Sequence, residues 1–172
     1  MNIQGLGLSS LLATAAVVLG ATFVSGQSSE ATFFCQAQEN IPTTIAKTKN
    51  GQLQPIFHWK NEALPEGTNP EQLCDTTSQQ LENYLASEGD LSSVSFKSTK
   101  LDQIPVICVT AEDNDCNLVL LTLPPAREPV EAAGLVLDSI LESQLQDKRF
   151  VSNERGVQSI YYRINLWQLL GF

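Results

Sequence analysis

Histidine and basic side chains are scarce in this 172-residue sequence. It has one histidine and 10 Lys and Arg against 19 Asp and Glu, which gives a net charge of −9. This balance disfavours binding to nucleic acid and to anionic membrane surfaces, because both repel an acidic protein. The sequence also lacks a glycine-rich phosphate loop, which disfavours nucleotide binding. We therefore predict no nucleic-acid partner and no cofactor.

The sequence patterns of known hydrolytic sites are missing as well. A Ser–His or Cys–His pair would have to use His58, and no G-x-S-x-G segment is present. His58 lies within a predicted strand, which favours a structural role for it. No spacing among the 19 carboxylates selects an acid–base pair of the glycosidase type. The sequence thus predicts no catalytic residue and favours a protein that is not an enzyme.

Charge is absent from residues 1–26, and residues 6–24 are rich in Leu, Ala and Val. This composition is typical of a secretory signal peptide, although Lys and Arg are missing from its start. Val24 and Gly26 suit the positions before a cleavage site, so we predict cleavage between Gly26 and Gln27. The alternative is an uncleaved anchor, since about 20 apolar residues can span a bilayer. In either case we expect residues 27–172 to form a single domain, with enough apolar residues for a core.

Four cysteines are present, and none belongs to a C-x-x-C motif, which excludes zinc ribbons and thioredoxin-type motifs. An even number in an exported domain predicts two disulfides, among three possible pairings. Cys108 and Cys116 lie symmetrically about a polar turn, so we expect them to be cross-strand neighbours. This leaves Cys35 to pair with Cys74. Four buried free thiols are the alternative, for a chain that stays in a reducing compartment.

A short acidic segment begins like a calcium-binding loop. Asp113, Asp115 and Asn117 spell D-x-D-x-N, the start of such a loop. However, Leu118 stands at the sixth position, where the loop needs Gly, and Pro124 at the twelfth, where it needs Glu. The three residues are therefore a weak metal candidate, and a solvated hairpin turn explains them better.

Hydrophobic periodicity predicts an α+β fold. Asn50-Gly51 indicates a hairpin turn. Asn69 followed by Pro70 is typical of a helix start, and Gly89 of a helix end. We expect a mostly antiparallel sheet of about six or seven strands, with two helices on one face. The predicted strands are 32–38, 43–48, 53–60, 94–100, 104–111, 117–123 and 159–165, and the predicted helices are 69–89, 129–146 and a short turn at 166–170.

Residues 33–123 resemble the circadian oscillating polypeptide family of cyanobacteria. The similarity rests on Phe33-Phe34-Cys35, on Pro42-Thr43-Thr44-Ile45-Ala46 before a glycine turn, on Ile56-Phe57-His58-Trp59, and on the segments around the other three cysteines. His58 stands where the family usually has Arg, and the helix after Cys74 is less basic than is common. Residues 124–172 match less clearly. The resemblance implies an exported or membrane-associated protein, and it implies no reaction, because the family has no established activity.

Together these observations predict an exported, disulfide-stabilised module that binds a protein or an envelope component. The periplasm, the thylakoid lumen and the cell exterior all remain open as its compartment. Membrane association through residues 1–26 is expected if they are retained. The alternatives are a carboxylate-based hydrolase and a membrane-tethered structural protein.

Overall fold

The computed structural model describes residues 32–88, 94–111, 116–154 and 157–163. These residues form two helices and eight strands, which confirms the predicted α+β class. The strands are Phe33–Gln38 (β1), Ile41–Lys47 (β2), Leu53–His58 (β3), Ser95–Leu101 (β4), Ile104–Thr110 (β5), Leu118–Thr122 (β6), Arg149–Glu154 (β7) and Val157–Arg163 (β8); the helices are Pro70–Glu88 (α1) and Pro129–Ile140 (α2). The strands divide into two antiparallel sheets, where one was expected, with orders β1-β2-β3 and β6-β5-β4-β8-β7.

Two short turns build the three-stranded sheet. Glu39 and Asn40 both have positive φ, as a two-residue hairpin turn requires. The predicted turn at Asn50-Gly51 is confirmed, and its backbone closes with a hydrogen bond from the Thr48 N–H to the Gln52 carbonyl (2.8 Å). This sheet presents its inner face to α1, which packs against β1 and β2.

Helix α1 begins where its sequence predicts. The Asn69 side chain accepts a hydrogen bond from the Gln72 N–H (3.1 Å), as an N-cap does. The face that carries Cys74, Thr77 and Leu81 is buried. The predicted helix end at Gly89 lies outside the described residues.

Helix α2 covers the five-stranded sheet and packs against β4, β5 and β8. Its close approach depends on Gly134, because a Cβ at that position would lie 2.7 Å from Ile160 Cδ1. The expectation that α2 extends to Gln146 is wrong, since α2 ends at Ile140 and a 3₁₀ helix follows over Ser143–Lys148. The cause is Leu141, which leaves the helix to form an antiparallel bridge with Phe57.

Strand β7 is an addition to the predicted set, which has no strand between the helix predicted over 129–146 and the strand predicted over 159–165. The strand predicted over 159–165 is confirmed over its described residues 159–163, which belong to β8. The turn expected at 166–170 lies outside the described residues.

Aromatic packing joins the two sheets into one core. Phe57 of β3 lies 4.6 Å from Phe96 of β4 and 5.3 Å from Trp59, measured between ring centroids.

Candidate functional site

A disulfide joins Cys35 of β1 to Cys74 of α1, in the predicted pairing, with a Cα–Cα distance of 5.5 Å. A buried polar network surrounds it. The Thr44 hydroxyl accepts hydrogen bonds from Trp59 Nε1 (2.9 Å) and from the Ser78 hydroxyl (3.5 Å), and it donates to Cys74 Sγ (3.9 Å). The disulfide therefore fixes α1 on the three-stranded sheet at a point that side-chain hydrogen bonds also hold.

The expected second disulfide is not formed. Cys108 and Cys116 both carry free thiols. In the β5–β6 register, Cys108 lies opposite Val119, three residues beyond Cys116. The Asn117 N–H nevertheless donates to the Val109 carbonyl (2.9 Å), so the hairpin brings the preceding residues, Cys116 and Cys108, close together.

The pKa values of these two thiols are shifted in opposite directions. Hydrogen bonding to Cys116 and burial raise the pKa of the Cys108 thiol. The hydrogen bond from Cys108 lowers the pKa of the Cys116 thiol; burial opposes this effect, and the positive charge of Lys97 reinforces it. Lys97 lies on β4 directly beside Cys108 of β5. Cys116 is half-buried whereas Cys108 is buried, so Cys116 is the accessible and more acidic thiol.

His58 lies at the centre of a second polar cluster. Its Nε2 is 2.6 Å from Glu142 Oε2, and its Nδ1 is 3.2 Å from the Thr43 hydroxyl. The Thr43 hydroxyl donates to the Ile41 carbonyl (3.0 Å) and is fully buried. This Glu–His–Thr order resembles a nucleophilic triad, but substrate has no access to the buried hydroxyl. The cluster therefore fixes the end of α2 against β3, in agreement with the structural role expected for His58.

Glu142 holds this cluster as an ionised carboxylate. Burial raises the pKa of its carboxyl group, but hydrogen bonds from His58, from the Ser143 hydroxyl and from the Gln144 N–H outweigh burial, and the net pKa is lowered. Beside the cluster lies an open cavity of about 520 Å³, which we call the His58 cavity. It is lined by three carboxylates, Glu62, Asp138 and Glu142, together with His58, Lys60, Ser139 and others.

A larger groove lies on the other side of Asp138. This α2 groove, of about 770 Å³, is lined by Lys100, Glu128, Pro129, Val130, Glu131, Leu135, Asp138, Arg149, Val151 and Ile160. Two of its apolar side chains are well exposed, Leu135 at 63% and Val151 at 54%. Asp138 accepts a short hydrogen bond from the Tyr162 hydroxyl and lies 3.5 Å from Arg149 Nη2. The groove thus combines an apolar surface with charged side chains.

The calcium-loop residues take other roles where they are described. Asn117 closes the β5–β6 hairpin, because its side-chain oxygen accepts a hydrogen bond from the Ala111 N–H (3.0 Å). Asp113 and Asp115 lie outside the described residues, as do Gly26 and Gln27 at the predicted cleavage site. Within the described residues, no group of three or more His, Cys, Asp and Glu side chains is placed to hold a metal ion.

Most of the chain matches a known protein family. The family described as Circadian oscillating protein COP23 matches residues 32–170. The chain belongs to this family. The match extends well beyond the 33–123 stretch that carried the resemblance, and it includes the four cysteines, His58 and Glu142. No curated protein and no solved structure matches the chain.

Sequence reasoning did not find two features of this COP23 family member. Glu142 is 84 residues from His58 in the sequence, and no local pattern marks it as the partner. The α2 groove is formed by residues of α2, β4, β7 and β8, and β7 was not predicted.

The described residues contain no helix of the length and apolarity needed to cross a membrane.

Proposed function

We propose that this COP23 family member is an exported, disulfide-stabilised module that binds a partner protein of the cell envelope or thylakoid. Two observations support export: the uncharged, apolar residues 1–26 and the Cys35–Cys74 disulfide, a bond that persists mainly in oxidising compartments. The observation that carries the binding function is the α2 groove. Its volume lies within the range of about 300–1,000 Å³ that is typical of binding pockets.

Charge indicates the chemistry of the partner. The protein has a net charge of −9, and Glu128, Glu131 and Asp138 line the groove against the two cations Lys100 and Arg149. Leu135 and Val151 offer apolar contact beside these carboxylates. The groove therefore suits a protein segment that presents an apolar side chain next to basic residues. Complementary charge increases the association rate and makes it sensitive to salt.

Cosedimentation of the purified protein with envelope and thylakoid membranes from its host tests the binding function. We expect Leu135→Asp to reduce binding about tenfold or more, because it places a charge in the apolar contact. Leu53→Asp is the matched control, since Leu53 is 50% exposed but lies on β3, outside the groove. The proposal is wrong if the two variants bind equally, or if the wild-type protein binds neither membrane at any salt concentration.

Intact mass of the protein from its native host tests export separately, with and without reduction and alkylation. We expect a chain that begins at Gln27, with Cys35 and Cys74 protected from alkylation before reduction. A full-length chain with this disulfide would instead support the membrane-tethered alternative. A full-length chain with four free thiols would contradict export altogether.

The hydrolase alternative would find its carboxylates in the His58 cavity. A glycosidase-type site needs one carboxyl group that stays protonated to act as an acid, besides an ionised one. Glu142 has a lowered pKa, and Asp138 accepts a hydrogen bond from Tyr162 and lies beside Arg149. The hydrogen bonds that lower the pKa of Glu142 favour its ionised form, so Glu142 suits a base better than an acid. Such a hydrolase requires that Glu142→Gln abolish a measured turnover, whereas the binding module does not.

A further inference from the structure

We propose that Cys108 and Cys116 form a thiol–disulfide exchange site that is oxidised by the disulfide of another molecule. The proposal goes beyond the binding function and does not depend on the α2 groove. It rests on three placements in the five-stranded sheet: the hydrogen bond from the Asn117 N–H to the Val109 carbonyl (2.9 Å) brings the preceding residues, Cys116 and Cys108, close together, Lys97 lies beside Cys108 in the β4–β5 register, and Cys116 is the more accessible thiol.

The difference in burial assigns the two roles. Cys116 is half-buried and Cys108 is buried, so an incoming disulfide reaches Cys116 first. Exchange requires a thiolate, and thiolates form most readily near positive charge and hydrogen-bond donors. The Lys97 charge and the Cys108 thiol provide both for Cys116, in agreement with its lowered pKa. Cys116 is therefore the attacking cysteine, Cys108 is the resolving cysteine, and Lys97 is a positioning residue.

The exchange proceeds in two balanced steps. The Cys116 thiolate attacks one sulfur of the incoming disulfide, whose S–S bond breaks, and the departing thiolate takes up a proton from water. Cys108 then releases its proton to water and attacks Cys116 Sγ, which forms the Cys108–Cys116 bond and breaks the mixed disulfide. The second thiolate leaves and is protonated. The cysteine pair loses two electrons, and the incoming disulfide is reduced to two thiols.

The site differs from the Cys35–Cys74 bond in its expected stability toward reduction. Stabilisation of a thiolate favours the reduced form of a pair and makes its disulfide easier to reduce. Cys116 has such stabilisation from Lys97, whereas Cys74 contacts the neutral Thr44 hydroxyl. The Cys108–Cys116 pair is therefore expected to cycle under conditions in which Cys35–Cys74 stays oxidised.

Redox titration of the full chain in glutathione buffers tests the proposal, with acid quenching, alkylation and peptide mass mapping. We expect Cys108 and Cys116 to become protected together while Cys35–Cys74 remains protected throughout. Persistence of both thiols in the most oxidising buffer, or reduction of the two bonds over the same buffer range, would overturn the proposal.

Single variants test the assigned roles with glutathione disulfide as the probe. We expect Cys108→Ser to accumulate a glutathione adduct on Cys116, and Cys116→Ser to leave Cys108 unmodified. Lys97→Met should slow adduct formation on Cys116 about threefold to tenfold near neutral pH, and Lys97→Arg should restore the rate. The intact Cys35–Cys74 bond reports that each variant is folded. Equal modification of the two cysteine variants contradicts the assignment.

Discussion

The carboxyl group of Glu142 is subject to two opposing effects. Burial raises its pKa, and the hydrogen bonds from His58, Ser143 and Gln144 lower it by more. A carboxyl group whose pKa is lower in the folded than in the unfolded protein stabilises the fold above its ordinary pKa, here 4.5. That stabilisation is lost as the pH falls through the folded-state pKa.

We predict that Glu142→Gln lowers the free energy of unfolding by about 1 kcal/mol at neutral pH. The difference from the wild-type protein should shrink as the pH falls from 4.5 through the lower folded-state pKa, because Glu142 then becomes neutral in both states of the wild-type protein. Urea denaturation at several pH values measures this. Glu62→Gln is the control, since it removes a carboxylate from the same cavity and leaves the Glu142–His58 contact in place. A constant difference for Glu142→Gln at all pH values would refute the argument.

Tyr162 gives the opposite dependence on pH. Burial, together with its hydrogen bond to Asp138, raises the pKa of its hydroxyl group from 10 to about 12. Because the unfolded protein loses this proton first, stability should be complete below pH 10 and decline between pH 10 and 12. We predict that Tyr162→Phe removes this component of the alkaline decline and costs about 1 kcal/mol at neutral pH. Urea denaturation over this range measures it, and an unchanged alkaline decline in the variant would contradict the assignment.

At the scale of single elements, the β4–β5 hairpin has a turn that its sequence does not favour. Asp102 and Gln103 have φ values of 49° and 68°, and the left-handed region costs a residue with a side chain about 1–2 kcal/mol. We predict that Gln103→Gly raises the free energy of unfolding by about 0.5–1 kcal/mol, since Asp-Gly suits this turn. Thermal denaturation measures the change.

Gln103→Ala is the matched control for this turn. Both variants lose the exposed hydrogen bond from Lys100 Nζ to Gln103 (3.1 Å), but only glycine removes the Cβ that makes positive φ costly. The alanine variant should therefore be no more stable than the wild-type protein. Equal stability of the two variants would show that the backbone of this turn is not strained.

Elements that are defined by local signals could be predicted from the sequence. Asn69 and Pro70 mark the start of α1, and Asn50-Gly51 marks the turn between β2 and β3, because capping and turn chemistry act over a few residues. The end of α2 could not be predicted, since Leu141 continues the apolar stripe of the helix and yet pairs with Phe57. The same limit applies to the candidate sites: the Glu142–His58 contact spans 84 residues, and no local signal fixes the β5–β6 register that places Cys108 opposite Val119.

At the scale of the whole molecule, one core connects both sheets. Phe57, Phe96 and Trp59 pack together, so neither sheet can bury its aromatic residues alone. We predict a single cooperative unfolding transition in urea, with coincident curves from far-ultraviolet circular dichroism and from Trp59 fluorescence in a Trp167→Phe background. Phe57→Leu should lower the free energy of unfolding by about 1–2 kcal/mol, and it should shift the midpoints of both curves together to lower urea concentration. Separate midpoints would show that the sheets unfold independently.

The contacts between β3 and the segment after α2 also determine when the chain can fold during synthesis. Ile56 and His58 emerge long before Glu142, whose N–H bonds to the Ile56 carbonyl (2.9 Å) and whose carboxylate bonds to His58 across 84 residues. Strand β3 therefore lacks these contacts until most of the polypeptide has been made. A chain that is threaded through a membrane pore must stay unfolded until it has crossed. For the exported protein proposed here, we expect these late contacts to help the N-terminal half stay unfolded during translocation.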